Sequence, residues 1–195
     1  DGSHDCLVPF SGGRDSTYAL HYVKKELARY EDKRSAIIPA LYRAQAENGW
    51  ISDDVIEGLS KIMEIPEAHI NEVATFYTMY KRRPTGDWLV SVCTNTMCDV
   101  LGGQRVYDTL SEHLGVGHDE TTEDGKVTLE HLECNAACDY APVMMVNWEF
   151  FDNQTPESAV ALVDALRSGE TPTPTRGASL CTFREVSRVL AGFYD

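Results

Sequence analysis

The chain has 195 residues, 43% of them hydrophobic and 25% charged, with a formal net charge of -14. This is the composition of a globular protein of one or two small domains, and so negative a chain excludes nucleic acid or an anionic lipid surface as its main partner, because phosphate is repelled. No apolar run approaches the roughly 20 residues that span a bilayer, and no secretory apolar segment opens the sequence; the expectation is a reducing, cytosolic setting with protein surfaces as partners.

Residues 1–28 read as strand, loop and helix. The apolar Cys6, Leu7, Val8 and Phe10 precede the loop Ser11-Gly12-Gly13-Arg14-Asp15-Ser16, and a helix is expected over 17–30. From 34 to 80 the pattern is helical. Ser52 suits an N-cap, and Asp53 and Asp54 suit the positive end of a helix dipole. Val55, Ile56, Leu59, Ile62 and Met63 recur at intervals of three and four, the spacing of one buried helical face. Pro66 opens a further helix carrying Ile70, Val73 and Ala74. Pro84-Thr85-Gly86-Asp87 is a turn and marks a domain boundary.

After that turn the expected order is a strand running into Cys93, a helix over 103–114, strands over 127–133, 143–147 and 148–152, and a helix over 156–167. Thr155 as N-cap and Pro156 in the first turn signal that last helix. The acidic run 118–125 lacks the ligand order of a calcium loop and reads as a solvated turn. The stretch 169–177 is expected to be an extended linker rather than a packed element. Beyond it Leu180, Phe183, Val186, Leu190 and Phe193 form a short apolar face that either folds back or docks on a partner, and Cys181 reads as a passive thiol. The chain thus divides into a strand-loop-helix segment (1–28), a helical region (29–83), an α/β domain (84–168) and a linker with a C-terminal tail (169–195).

Four cysteines carry the chemistry. Cys93 and Cys98 are spaced C-x4-C at the end of one expected strand, and Cys134 and Cys138 are spaced C-x3-C just past another. Each spacing suits two thiolates on one metal centre, and four thiolates suit zinc or an iron-sulfur cluster. Disulfides are disfavoured in a reducing compartment. The cysteine runs of bacterial and plant-type ferredoxins are both absent. Six histidines show no paired metal spacing; His131 is near the second cysteine pair, yet four cysteines already complete a ligand set. No Rossmann or G-x-S-x-G motif occurs.

The segments Cys93-Thr-Asn-Thr-Met-Cys98-Asp-Val-Leu-Gly-Gly and Cys134-Asn-Ala-Ala-Cys138-Asp-Tyr-Ala-Pro142-Val-Met-Met-Val-Asn147, preceded by Glu72-Val73-Ala74-Thr75-Phe76-Tyr77, resemble the thioredoxin-like 2Fe-2S subunit (the E subunit) of NADH:quinone oxidoreductase, respiratory complex I, over about residues 30–195. The resemblance implies a thioredoxin-like 2Fe-2S ferredoxin domain after an N-terminal helical region. It further implies that Cys93, Cys98, Cys134 and Cys138 ligate a 2Fe-2S cluster, and that the chain carries single electrons beside an FMN- and NADH-binding subunit, with no nucleic acid and no direct membrane insertion. Its place would be cytoplasmic, held at the inner membrane through the complex. Pro142 occupies a place where thioredoxin-like folds often carry a cis proline. Backbone N–H groups of 94–97 and 135–137 are the expected donors to sulfur. Ala136 stands where many relatives have glycine, and alanine tolerates fewer backbone conformations.

Residues 5–27 resemble the SGGxDS loop segment of N-type ATP pyrophosphatases, in particular N-acetyl sugar amidotransferases, a loop whose backbone N–H groups approach phosphate. Two further functions therefore stand beside the electron carrier: a zinc-stabilised interaction module and an ATP-dependent amidotransferase fragment.

Overall fold

A computed structural model describes residues 23–193. The strand and the Ser11-to-Ser16 loop expected near the N-terminus lie outside the described residues. The chain divides into two compact units, one of residues up to Pro84 together with those from Ser187 on, the other Thr85–Val186.

The first unit is helical. A helical turn (α1, residues 23–27) is followed by a 3-10 turn at Lys33–Ala36, whose start is capped by the Asp32 carboxylate accepting from the Arg34 N–H at 2.9 Å. Then come α2 (Ile37–Asn48), α3 (Asp53–Met63) and α4 (Glu67–Phe76). Ser52 caps α3 by accepting from the Val55 N–H at 3.2 Å, and Asp53 and Asp54 fill the first turn, as the sequence leads one to expect. The stripe on α3 is core: Val55, Ile56, Leu59 and Met63 are buried and Ile62 packs partly against them, beside Ile37, Ala40, Leu41 and Ile70. Gln45, almost fully buried on α2, accepts from the Lys81 N–H at 2.7 Å and donates to the Met79 carbonyl at 3.0 Å, so the chain leaving α4 is held by a side chain where no strand pairs with it.

The second unit is a five-stranded sheet with helices packed on it. Its strands are β1 (Trp88–Cys93), β2 (Glu120–Thr121), β3 (Val127–Leu132), β4 (Met144–Val146) and β5 (Glu149–Phe151), in the spatial order β2-β3-β1-β4-β5. β1 and β3 are parallel; the other pairs are antiparallel. Every residue of β1 is buried, which explains why it reads Trp-Leu-Val-Ser-Val-Cys without alternation: a central strand covered on both faces has no solvent side. β4 and β5 join through Asn147 and Trp148, both at positive φ (48° and 71°), the left-handed pair that a two-residue hairpin needs. The buried Asn147 amide accepts from the Leu89 N–H at 2.8 Å and donates to the carbonyls of Asp87 (3.0 Å) and Cys181 (2.8 Å).

Three more helices follow β1: a short α5 (Thr96–Val100), then α6 (Gly103–Leu114) and α7 (Pro156–Ser168). Val106 and Leu110 of α6 and Ala159, Leu162, Val163 and Leu166 of α7 share one core with Val90, Val92, Val127, Leu129, Met144 and Val146 of the sheet. α7 starts with the expected Thr155 cap and Pro156, and Thr155 and Ser158 form a reciprocal capping box. A last helix, α8 (Phe183–Leu190), contributes its residues from Ser187 on to the first unit. The tail therefore folds back on the chain: Phe183 is buried with its ring 5.5 Å from that of Trp148, while Leu190, expected on the same apolar face, is half exposed.

Two expectations change. The run 118–125 is not all turn, because Glu120 and Thr121 pair with Leu129 and Thr128 as the edge strand β2; so short a strand carries little pattern and also blunts the sheet edge. Within 169–177 the chain is extended, but it is not a free linker at its end. Phe150 N–H donates to the Arg176 carbonyl at 3.3 Å and Thr175 N–H to the Phe150 carbonyl at 2.8 Å, so the segment covers the open edge of β5.

The β2–β3 turn provides a pH prediction. Asp124 accepts from the Thr122 hydroxyl, the Lys126 N–H and the Arg167 guanidinium (2.9 Å), and these, the Thr122 bond first, lower its pKa to about 2. A carboxyl depressed in the folded state adds stability that is present above the ordinary carboxylate range and is lost as pH falls through about 2. Thermal unfolding of Asp124→Asn beside the parent should show a deficit that is constant above that range and closes on acidification. A deficit that does not vary with pH would contradict the bonding.

Candidate iron-sulfur site

The two cysteine pairs meet because of strand direction. β1 and β3 run parallel with Cys93 opposite Leu132, so both strands end at the same edge of the sheet and deliver their loops side by side. Cys93 is the last residue of β1, and Cys134 follows β3 by two residues. The loops are then tied: the Asn95 amide donates to the Leu132 carbonyl at 3.0 Å, and the Cys93 N–H donates to the Val143 carbonyl at 3.1 Å. Cys98 comes into place on α5, whose five residues are too few for a periodic signal, which is why the sequence does not announce it. Cys138 opens a 3-10 turn, Cys138–Tyr140, that runs into a cis Ala141–Pro142 peptide and Val143.

Gly103 closes the nest from the α6 side. A Cβ built there would lie 2.5 Å from the Cys93 carbonyl oxygen and 2.9 Å from that of Cys98, so only glycine lets α6 approach both. Cys93 and Cys98 are buried with Ala137 and Val143, and Ala141 and Phe150 pack against them. Cys134 and Cys138 are exposed. Outside the nest Met97, Val100, Leu101 and Tyr140 leave large apolar side chains in solvent, Val100 as much as 75% exposed.

The thiols interact in pairs. Burial, and then the neighbouring Cys93, push the Cys98 thiol up to about 11 against an opposing bond from the Val143 N–H. The Cys138 thiol is pushed up first by its hydrogen bond with Cys134, then by burial, with Cys93 contributing from the other pair. Protons held this way are released when thiolates bind a metal. Among the described residues no three His, Cys, Asp or Glu side chains gather around one ion position. Four thiols in two neighbouring pairs suit a two-iron cluster.

Donors to sulfur are present. The Ala136 N–H lies 3.4 Å from Cys134 Sγ, inside the expected stretch, while the Val143 N–H that bonds Cys98 lies outside it, 45 residues on in the chain, where no local signal points to it. Asn135 Nδ2 is buried and has no hydrogen-bond partner among the described residues, a donor left over beside Cys134. The residues therefore fit a 2Fe-2S cluster. His131 does not join them: its ring stacks 4.1 Å from that of His118 and 5.8 Å from Tyr107.

Ala136 has φ +54°, a left-handed conformation costly for any residue with a Cβ. Ala136→Gly should therefore stabilise the loop by about 0.5–1 kcal/mol, read as slower bleaching of the visible cluster absorbance in air. Faster bleaching would contradict the left-handed loop.

A sheet ending in two paired thiol loops defines an iron-sulfur electron carrier, and the chain belongs to the thioredoxin-like 2Fe-2S ferredoxin family, which matches residues 23–167. Its cofactor is accordingly a 2Fe-2S cluster. It is 59% identical over 172 residues to the E subunit of NADH-quinone oxidoreductase from Mycobacterium tuberculosis, covering 88% of this chain and 68% of that one. It is 41% identical over 139 residues to the corresponding protein of Rickettsia bellii, covering 71% of this chain and 83% of that one. Among solved structures, an NAD+-reducing NiFe-hydrogenase shares the fold with a TM-score of 0.58 at 16% identity; the match covers 68% of this chain and 23% of the hydrogenase chain. The SGGxDS-like loop lies outside the described residues, and the family match begins after it.

Proposed function

We propose that Cys93, Cys98, Cys134 and Cys138 ligate the 2Fe-2S cluster, the first two holding the inner iron and the last two the outer one. The chain is a one-electron carrier, a subunit of the NADH-oxidising module of NADH-quinone oxidoreductase, and turnover belongs to the assembled complex. When bound, the cluster supplies one-electron oxidation and reduction. The chain's own part is to bury one side of it, to offer N–H donors to sulfur, and to present the other side at the surface. The observation that carries the ligand assignment is the parallel pairing of β1 and β3, which brings both cysteine loops to one sheet edge.

The electron partner in this reading is the FMN- and NADH-binding subunit of the same complex, docked on the apolar collar of Met97, Val100, Leu101 and Tyr140, where excluding water shortens the path between redox centres. No helix among the described residues is long and apolar enough to cross a membrane; the proposed place is the cytoplasmic side of the inner membrane, reached through other subunits.

The test is anaerobic purification with iron, zinc and sulfide analysis, then low-temperature EPR of the dithionite-reduced protein. Iron and sulfide in equal amounts with an S = 1/2 signal support the assignment. Zinc without iron or signal overturns it. Val100→Asp should leave that signal intact and weaken binding to the flavin subunit; unchanged binding would move the docking face elsewhere.

A further inference from the structure

The segment after α7 returns along the sheet edge and ends beside the second cysteine loop, where one side chain does more than cover backbone. Arg176 donates from Nη2 to Asp152 Oδ1 at 2.7 Å, and that carboxylate is only 6% exposed. Its guanidinium carbon lies 4.4 Å from the centroid of Phe150 and 5.1 Å from that of Tyr140. Those two rings belong to different parts of the site. Phe150 packs against the nest of Cys93, Cys98, Ala137 and Val143, and Tyr140 ends the 3-10 turn that Cys138 begins.

Backbone bonds join the same pieces: Asn153 N–H donates to the Tyr140 carbonyl at 2.8 Å, and Gln154 N–H to the Pro142 carbonyl at 2.8 Å. On the other side, Asp152 N–H donates to Thr175 Oγ1 at 3.0 Å, so the arginine is held by its neighbour as well as by its ion pair. Asp139, next to Cys138, is among the charges that keep the guanidinium protonated, after Asp152.

We propose that Arg176 is a positioning residue for the cluster: stacked on Phe150 and Tyr140, it clamps the Cys138 loop and supplies a fixed positive charge that favours the reduced state. The inference rests on the proposed ligand set. The physical basis is that reduction adds one negative charge, which a nearby cation stabilises, and that an arginine held through Nη2 by a buried carboxylate and set against two rings stays in place as the charge changes. The position suits arginine rather than lysine for the stacking, because only a planar guanidinium lies flat on a ring. The buried Asp152 fixes that orientation and offsets part of the field.

The test uses the full chain and reads the cluster's midpoint potential by EPR-monitored redox titration, with iron content and the rate of bleaching measured beside it. Arg176→Gln should shift the potential to a more negative value and bleach several-fold faster. Arg176→Lys should return the potential toward that of the parent while still bleaching faster, since it restores charge without the planar clamp. Asp152→Asn, which removes the arginine's ion-pair partner, should shift the potential the other way. A merely structural role would speed bleaching in all three and move the potential in none, and that outcome overturns the proposal. So would shifts of the same sign in Arg176→Gln and Asp152→Asn. Failure of the ligand assignment is separately visible, as a parent protein without iron.

Discussion

Cys98→Ser should hold at least about tenfold less iron than the parent, since even outer-shell changes at metal sites cost ten- to a hundredfold in affinity. Serine is nearly isosteric, so the small nest of Cys93, Ala137 and Val143 stays filled, and the Val143 N–H still finds an acceptor. What is lost under the proposed ligand set is a soft thiolate in a place that water does not reach, because Cys98 is 2% exposed. The outer pair is expected to behave differently. Cys138 is exposed, so in Cys138→Ser solvent can complete the iron, and a substantial fraction of cluster with an altered EPR line shape should survive. Cys181→Ser is the control: that thiol is half buried on the chain returning to α8, outside both cysteine loops, and iron content should not change. Equal losses in all three would point to general destabilisation rather than ligation.

The second large effect is expected at Gly103→Ala. The added methyl would sit 2.5 Å from the Cys93 carbonyl oxygen and 2.9 Å from that of Cys98. Both neighbours are backbone, held by β1 on one side and by α5 on the other, and cannot rotate away as a side chain would. Overpacking of this kind costs about 1–3 kcal/mol, or a fall in Tm of about 4–8 °C for each kcal/mol in a unit of this size, with poor cluster retention because both affected carbonyls belong to proposed ligand residues. Gly102→Ala separates crowding from backbone strain. Gly102 has φ +105° with open space around the site of a Cβ, so its cost is conformational alone, about 1–2 kcal/mol, and cluster retention should suffer less. The same loss of iron in both variants would mean that the α6 start, not its approach to the cysteines, is what matters.

Much of this was legible in the residues. The Ser52 cap, the Val55-to-Met63 stripe, the Thr155-Pro156 start and the largely apolar run into Cys93 are local signals, and local geometry is what they describe. The cysteine spacings pointed to a metal centre, zinc or iron-sulfur, because two thiolates within a few residues can reach one metal whatever the fold around them; the resemblance to a known family singled out the cluster. Elements without a period or a cap were not legible: α5 is five residues long, β2 is two, and the Arg176 strap reads as a Pro-rich linker until the unpaired edge of β5 lies beside it.

The sequence by itself determined the capped and periodic elements, the four thiols and their grouping in twos, since those depend on neighbours along the chain. Only the tertiary structure decided which pair is buried and which faces solvent, that Val143 rather than a loop amide bonds Cys98, that Gly103 must lack a side chain, and that Arg176 reaches the Cys138 loop. The reason is physical: each of these is set by strand order and by parallel pairing of β1 with β3, contacts between residues about 40 apart that no local pattern encodes.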